Sequence, residues 1–298
     1  MSEVWDGKTK GGLTGYKIFV FLLKNIGLNA AYVLLFFVAF WFVIFSRKAS
    51  KSHYYLFRKR LKFSILKSIL LVYKNSFVFG QILIDKTAIL SGLISKYTTE
   101  HTNAEVIQNM IKNKTGGILV NAHIGSWQIA GQLLERYEGV IYILMLDSEN
   151  KKIKELLEDT EGKNKVEIIP LSEDGSHMEK IDEVLKEKGI LVMHGDRFTE
   201  GAKTFEQLFF GEKAKFPTGP FHLAAKYGVP VSFATAFREK KRHYHFFAMK
   251  PIFVDYPGNL KKRKQEIFDK QAIYVKELEK MLKKYPTQWF NFYNFWKV

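Results

Sequence analysis

From Gly27 to Ser46 the chain reads GLNAAYVLLFFVAFWFVIFS, with only Asn29 and Ser46 clearly polar. As a helix this run is about 30 Å long, the thickness of a bilayer core, so it can span a membrane or lie as a monotopic anchor. A buried core helix of a soluble protein has the same composition. A cleaved signal peptide is not expected, because the apolar core is too long and starts late. The next apolar stretch, Phe63 to Ile84, is interrupted by Lys67 and Lys74 and predicts an amphipathic helix on a membrane or on a neighbouring domain. No proline occurs before Pro170, so residues 17–95 read as helices with few enforced breaks.

From about residue 103 the pattern changes to short apolar runs alternating with helical periodicity. GGILVNA, GVIYILML, KVEIIPL and GILVMHGD are strand-like, and WQIAGQLLERY, SENKKIKELLED and HMEKIDEVLKEK are helix-like. GVPVSFATAFRE and RHYHFFAMKPIFV add later strands, after a helix that starts near Pro220, where proline suits the first turn. The alternation predicts an α/β fold with a mixed, largely parallel sheet flanked by helices. It divides the chain into an N-terminal membrane-associating helical region, residues 1–95, and an α/β domain, residues 96–298.

Charge adds a partner class. The formal net charge is +16, and residues 1–60 hold ten Lys and Arg against Glu3 and Asp6, a net +8 that brackets the apolar helix. Lys17 and Lys24 precede it and Arg47, Lys48 and Lys51 follow, so the charge favours an anionic surface without fixing an orientation. Nucleic acid is not expected, since no recognised binding motif accompanies the charge and the apolar segment argues against it. There is no cysteine, which excludes disulfides, thiolate metal sites and a cysteine nucleophile; any thiol must come from a substrate.

In open α/β sheets, sites collect at the carboxyl ends of strands. Two polar clusters fall there. His123 follows an apolar strand and precedes Gly125, a place suited to a general base, although a lone histidine is ordinarily structural. His194, Gly195 and Asp196 end another strand and lead through Arg197 to Phe209, Phe210, Gly211, Lys213 and Lys215, a loop whose lysines and backbone N–H groups can hold an anionic headgroup. Its plain reading is a surface loop with an Asp196–Arg197 pair of little energetic interest. There is no G-x-S-x-G elbow, no phosphate-binding loop, no dinucleotide glycine pattern and no H-E-x-x-H. The His243 and His245 pair merely alternates along a strand, so no metal site is expected.

Trp5 with the glycines after it, the Gly27–Ser46 helix, HIGSWQIAG, GDRFTEG, FFGEKAKFPTGPFHLA and the terminal PTQWFNFYNFWK resemble, in that order, the bacterial lipid A biosynthesis acyltransferases of the glycerolipid acyltransferase superfamily. The resemblance spans nearly the whole chain and implies that superfamily's fold. Its signature is a histidine, four residues, then an acid, usually H-x-G-N-W-E. This chain keeps His123, Gly125 and Trp127 but has Ser126 and Gln128.

The resemblance implies a membrane-associated enzyme on the cytoplasmic side of the cell inner membrane. It would move a fatty acyl chain from acyl carrier protein or acyl-CoA to a hydroxyl or amine of a lipid acceptor, lipid A precursor or a related amphiphile. His123 is then the general base, acyl-phosphopantetheine thioester is a co-substrate, and no further cofactor is needed. The absence of cysteine fits, because the donor carries the thiol. Gln128 orients an imidazole but brings no charge, and its amide can favour the wrong tautomer, a change that costs about 10⁴ in rate in the serine-protease triad. Asp196 is the candidate replacement acid. Gly125, Ser126, Trp127, Arg197, Lys213 and Lys215 are the candidate substrate contacts. The alternative is a catalytically impaired member that serves as a membrane-bound lipid-binding or scaffold protein.

Overall fold

A computed structural model describes residues 18–19, 21–23, 25–90, 92–126, 129, 140–146, 166–172 and 174–297. Among the described residues, helical positions at 18–25 precede α1 (Leu28–Phe45), α2 (Arg47–Tyr55), which continues into a wider turn over Leu56–Arg60, and α3 (Ile65–Leu90). They are followed by β1 (Thr98–Thr102), α4 (Glu105–Lys112), β2 (Gly117–Asn121), β3 (Ile141–Leu146), β4 (Val166–Leu171), α5 (His177–Lys186) and β5 (Ile190–His194). The remainder is the hairpin β6 (Thr204–Phe209) and β7 (Glu212–Pro217), then α6 (Gly219–Tyr227), β8 (Val231–Lys240), β9 (His243–Ala248) and α7 (Leu260–Lys284).

Seven strands form one sheet in the order β1-β9-β8-β2-β5-β3-β4. Five run parallel, and the single antiparallel contact, β8 with β9, reverses β9 and its parallel neighbour β1. The expected mixed, largely parallel α/β sheet is what the chain forms. Its central strands are continuously apolar because both faces are covered: every residue of β2 is buried. The β6–β7 hairpin stands outside this sheet.

One buried cluster joins Leu56, Phe57 and Val72 of the helical segment to Ile118 and Val120 of β2 and to Trp289 and Phe295 near the C-terminus. Residues of the Leu56–Arg60 turn and of α3 therefore contribute to the core of the sheet. Helix α1 buries only Leu28, Ala31, Leu35 and Ala39, a narrow stripe laid against α3. Gly80 permits that approach, since a Cβ there would lie 2.2 Å from a Leu35 methyl. The rest of α1, including Phe37, Phe40, Trp41 and Phe45, faces outward, as do Ile65, Leu66, Ile69 and Leu70 on α3. By length and composition α1 can cross a membrane. On α3, Ser68, Asn75, Ser76 and Asp85 are buried beside Val72, Val78, Ile82, Ile84 and Ile89, while Ile65, Leu66, Ile69, Leu70 and Leu83 are exposed. An apolar outer face with polar residues turned inward fits a lipid surface.

Candidate active site

The site begins with strand register. Asn121, the last residue of β2, pairs with His194, the last of β5, and the Gly195 N–H donates to the Asn121 carbonyl at 2.8 Å. Each strand then runs on by two residues, to His123 and to Asp196, so the two side chains emerge together. The connection is tight because residue 195 is glycine: a Cβ there would meet a Val120 methyl at 2.4 Å and the Tyr274 ring within 2.8 Å.

His123 Nδ1 and Asp196 Oδ1 are 2.9 Å apart. The other carboxylate oxygen, Oδ2, accepts the His123 backbone N–H at 2.8 Å and the Trp289 indole N–H at 3.2 Å. Asp196 is almost completely buried. Burial by itself raises its carboxyl, but the charge and hydrogen bond of His123, with Arg197 and His194, hold it below the usual carboxylate range. An ionised Asp196 fixes the imidazole with its proton on Nδ1, which leaves the lone pair on Nε2 and stabilises the imidazolium formed when Nε2 takes a proton. The His194 ring stacks on His123 with centroids 4.3 Å apart, and burial, then the neighbouring His123 charge, push it well below the usual histidine range. His123 thus lies between an anionic carboxylate and a neutral ring.

The C-terminal segment closes the frame. Gly125 N–H donates to the Gln288 carbonyl at 2.8 Å, Phe290 N–H donates to the His123 carbonyl at 2.7 Å, and Ile124 forms a bridge with Trp289. Asn75 on α3 holds the same segment by donating to the Thr287 and Trp289 carbonyls at 3.1 and 3.0 Å. Gly125 takes φ +63°, and a Cβ on it would meet the Ala236 carbonyl oxygen at 2.3 Å, so no other residue fits this turn.

Ser126 N–H donates to the same Ala236 carbonyl at 2.7 Å, and the buried Ser126 hydroxyl accepts Ile129 N–H at 3.3 Å in the manner of a helix cap. Gly125 and Ser126 therefore frame the loop. Arg197 is brought to the same segment, donating to the Phe290 carbonyl at 3.2 Å. Lys213 and Lys215 stand on the outer face of the β6–β7 hairpin, alternating with buried Ala214 and Phe216, and Lys213 pairs with Glu206 at 3.5 Å. Trp127 and Gln128 lie outside the described residues, as do the predicted helices over WQIAGQLLERY, apart from Ile129, and SENKKIKELLED, together with Trp5, Lys17 and Lys24.

His123, His194 and Asp196 also present three ligand atoms within 4.8 Å of one another, enough for a metal ion by proximity. Both Asp196 oxygens already face N–H groups or the His123 ring, an arrangement suited to orienting a base.

The model of the bacterial lipid A biosynthesis acyltransferases matches residues 86–298, which includes His123, His194, Asp196 and the PTQW segment. The chain belongs to that family. It is an acyltransferase, and its exposed apolar helix agrees with the membrane association of the family. No curated protein matches it. Among solved structures, the 1-acyl-sn-glycerophosphate (LPA) acyltransferase PlsC from Thermotoga maritima is similar at 15% identity and a TM-score of 0.37, covering 84% of this chain and 97% of that one. At that level neither substrate nor mechanism transfers.

In this acyltransferase, the sequence pattern alone did not place Trp289, Gln288 and Asn75 in the site. The first two lie in the PTQW string that carried the family resemblance, so the signal was present but its role was not. Asn75, a buried amide on an otherwise greasy helix, is the kind of position that asks for a partner.

Proposed function

We propose that this lipid A-type acyltransferase moves a fatty acyl chain from acyl carrier protein or acyl-CoA to a hydroxyl or amine of a lipid acceptor, with His123 as general base and Asp196 as the acid behind it. The observation that carries this reading is the 2.9 Å contact between His123 Nδ1 and Asp196 Oδ1, made by a buried carboxylate where the family motif would place its acid at position 128.

His123 Nε2 takes the proton of the acceptor as its oxygen or nitrogen attacks the thioester carbonyl. The tetrahedral adduct collapses, the carbon–sulfur bond breaks, and the imidazolium returns its proton to the departing phosphopantetheine thiolate. Donor and acceptor react directly with one another while held by the protein, consistent with a chain that has no cysteine. The outward-facing apolar residues of α1 and α3, next to Arg47, Lys48, Lys51 and Lys67, would seat the enzyme on an anionic membrane surface. We assign it to the cytoplasmic side of the inner membrane, where lipid acceptor and carrier-bound donor meet. The acceptor is lipid A precursor or a related amphiphile.

The test incubates purified protein with labelled acyl carrier protein thioester and a total lipid extract of its source, followed by mass spectrometry. A labelled lipid that forms with the native chain and vanishes with His123→Ala is expected. No product from folded native protein, beside a competent family member as control, would favour a binding or scaffold role, and product formation indifferent to His123→Ala would contradict the mechanism.

A further inference from the structure

The pair His243 and His245 gains partners from the strands on either side. Strand β9 lies between β1 and β8, and its register with β1 sets Thr98 opposite His243 and Glu100 opposite His245. On the other side the β8–β9 register slips between Arg238 and Lys240, which leaves Glu239 as the extra residue of a bulge. Bulges re-aim a side chain; this one turns the Glu239 carboxylate onto both imidazoles, with Oε1 3.2 Å from His245 Nδ1 and Oε2 3.9 Å from His243 Nε2. The ligand atoms of Glu100, Glu239 and His245 lie within 4.8 Å of one another.

The far nitrogen of each histidine is held by a threonine of β1. His245 Nε2 is 2.7 Å from Thr102 Oγ1, and His243 Nδ1 is 2.8 Å from Thr98 Oγ1. With an ion bound, the far N–H of His245 would donate to its threonine hydroxyl and the lone pair of the near nitrogen would face the ion; without one, His245 Nδ1–H donates to Glu239. That is how metal-bound histidines are ordinarily oriented. In a tetrahedral zinc site, bonds of about 2.0–2.2 Å put neighbouring ligand atoms about 3.3 Å apart. The 3.2 Å between Glu239 Oε1 and His245 Nδ1 already has that spacing.

We infer that His245, Glu239 and Glu100 form a binding site for a divalent cation of the zinc type, at the sheet edge and separate from the catalytic pair, with His243 beside it. An imidazole and two carboxylates match the nitrogen and oxygen preference of that ion, and two negative charges balance it. The ion would join β1, β9, the β8 bulge and, through the Tyr285 hydroxyl on Glu239, the end of α7. The Gln288 side chain bonds both the N–H and the carbonyl of Arg238 in that bulge, while its backbone carbonyl receives Gly125 N–H, so the metal would also steady the segment that frames His123.

Zinc alone is the probe, added to the full chain in detergent after chelator treatment, with retained metal measured after desalting, affinity by calorimetry, and the thermal midpoint with and without the ion. A single retained equivalent and a raised midpoint are expected. Glu239→Gln should abolish both, and Thr102→Val, which removes no ligand, should weaken affinity about 10- to 100-fold. The threonine variant carries the test should Glu239→Gln fail to fold by circular dichroism. Asp196→Asn leaves zinc binding unchanged if the edge site is the one occupied. An absence of saturable binding, binding that survives both edge variants, or binding lost with Asp196→Asn would overturn the inference.

Discussion

Asp85 and Asp196 are both shut away from water, 0% and 1% exposed, yet their partners set them to different tasks. Asp85, on α3, accepts from the hydroxyls of Tyr32, Tyr97 and Tyr244 and from Arg238, whose Nε is 3.0 Å away. Burial, then the Asp85 charge, push the Tyr97 and Tyr244 phenols up, so they stay protonated donors, and the guanidinium stays charged at any ordinary pH. Every partner is fixed, and the cluster braces α1 and α3 against β8 and β9. Asp196 has equally good donors in a peptide N–H and an indole, but its third partner is an imidazole, a group that can take up and release a proton. A buried carboxylate becomes part of chemistry when one of its partners can change charge.

That contrast can be attacked from both ends. Asp85→Asn strips the charge opposite Arg238 inside the protein and should cost about 3–5 kcal/mol of stability, read from chemical denaturation in detergent, with turnover per folded molecule little changed. A folded Asp85→Asn variant that loses turnover as completely as a His123 variant would erase the distinction. Trp289→Phe removes one N–H from the Asp196 carboxylate and should cost about 1.5–3 kcal/mol, the usual worth of a hydrogen bond to a charged group. The loss should fall on kcat while KM for the donor holds, because the indole touches the acid and not the thioester. An unchanged kcat would place Trp289 with the bracing residues.

Much of this was legible in the chain. The runs read as strands in GGILVNA, GVIYILML, KVEIIPL, GILVMHGD and GVPVSFATAFRE form strands of the main sheet, and RHYHFFAMKPIFV does so only as far as Ala248; the central ones are legible because a strand covered on both faces is apolar throughout. Strand β1, TTEHT, was not legible: as an edge strand it carries no apolar pattern to read. His123 and Asp196 could be picked out because each follows a recognisable strand, but their meeting depends on the β2–β5 register, which no local pattern encodes. The same holds for His243 and His245, whose alternation looked empty until register and a bulge supplied Glu100 and Glu239. The PTQW segment reads as an aromatic tail and only its long-range bonds to Ile124, Gly125 and Asp196 show its place in the site.

The central claim is that Asp196 does the work the family motif assigns to position 128. The most direct measurement is single-turnover acyl transfer from labelled acyl carrier protein thioester by the native chain, Asp196→Asn and Gln128→Glu, each shown to be folded. The account predicts that Asp196→Asn slows transfer by about 10⁴, as losing the orienting acid does in other histidine-based sites, while Gln128→Glu preserves or raises the rate. Near-native transfer by Asp196→Asn would contradict it.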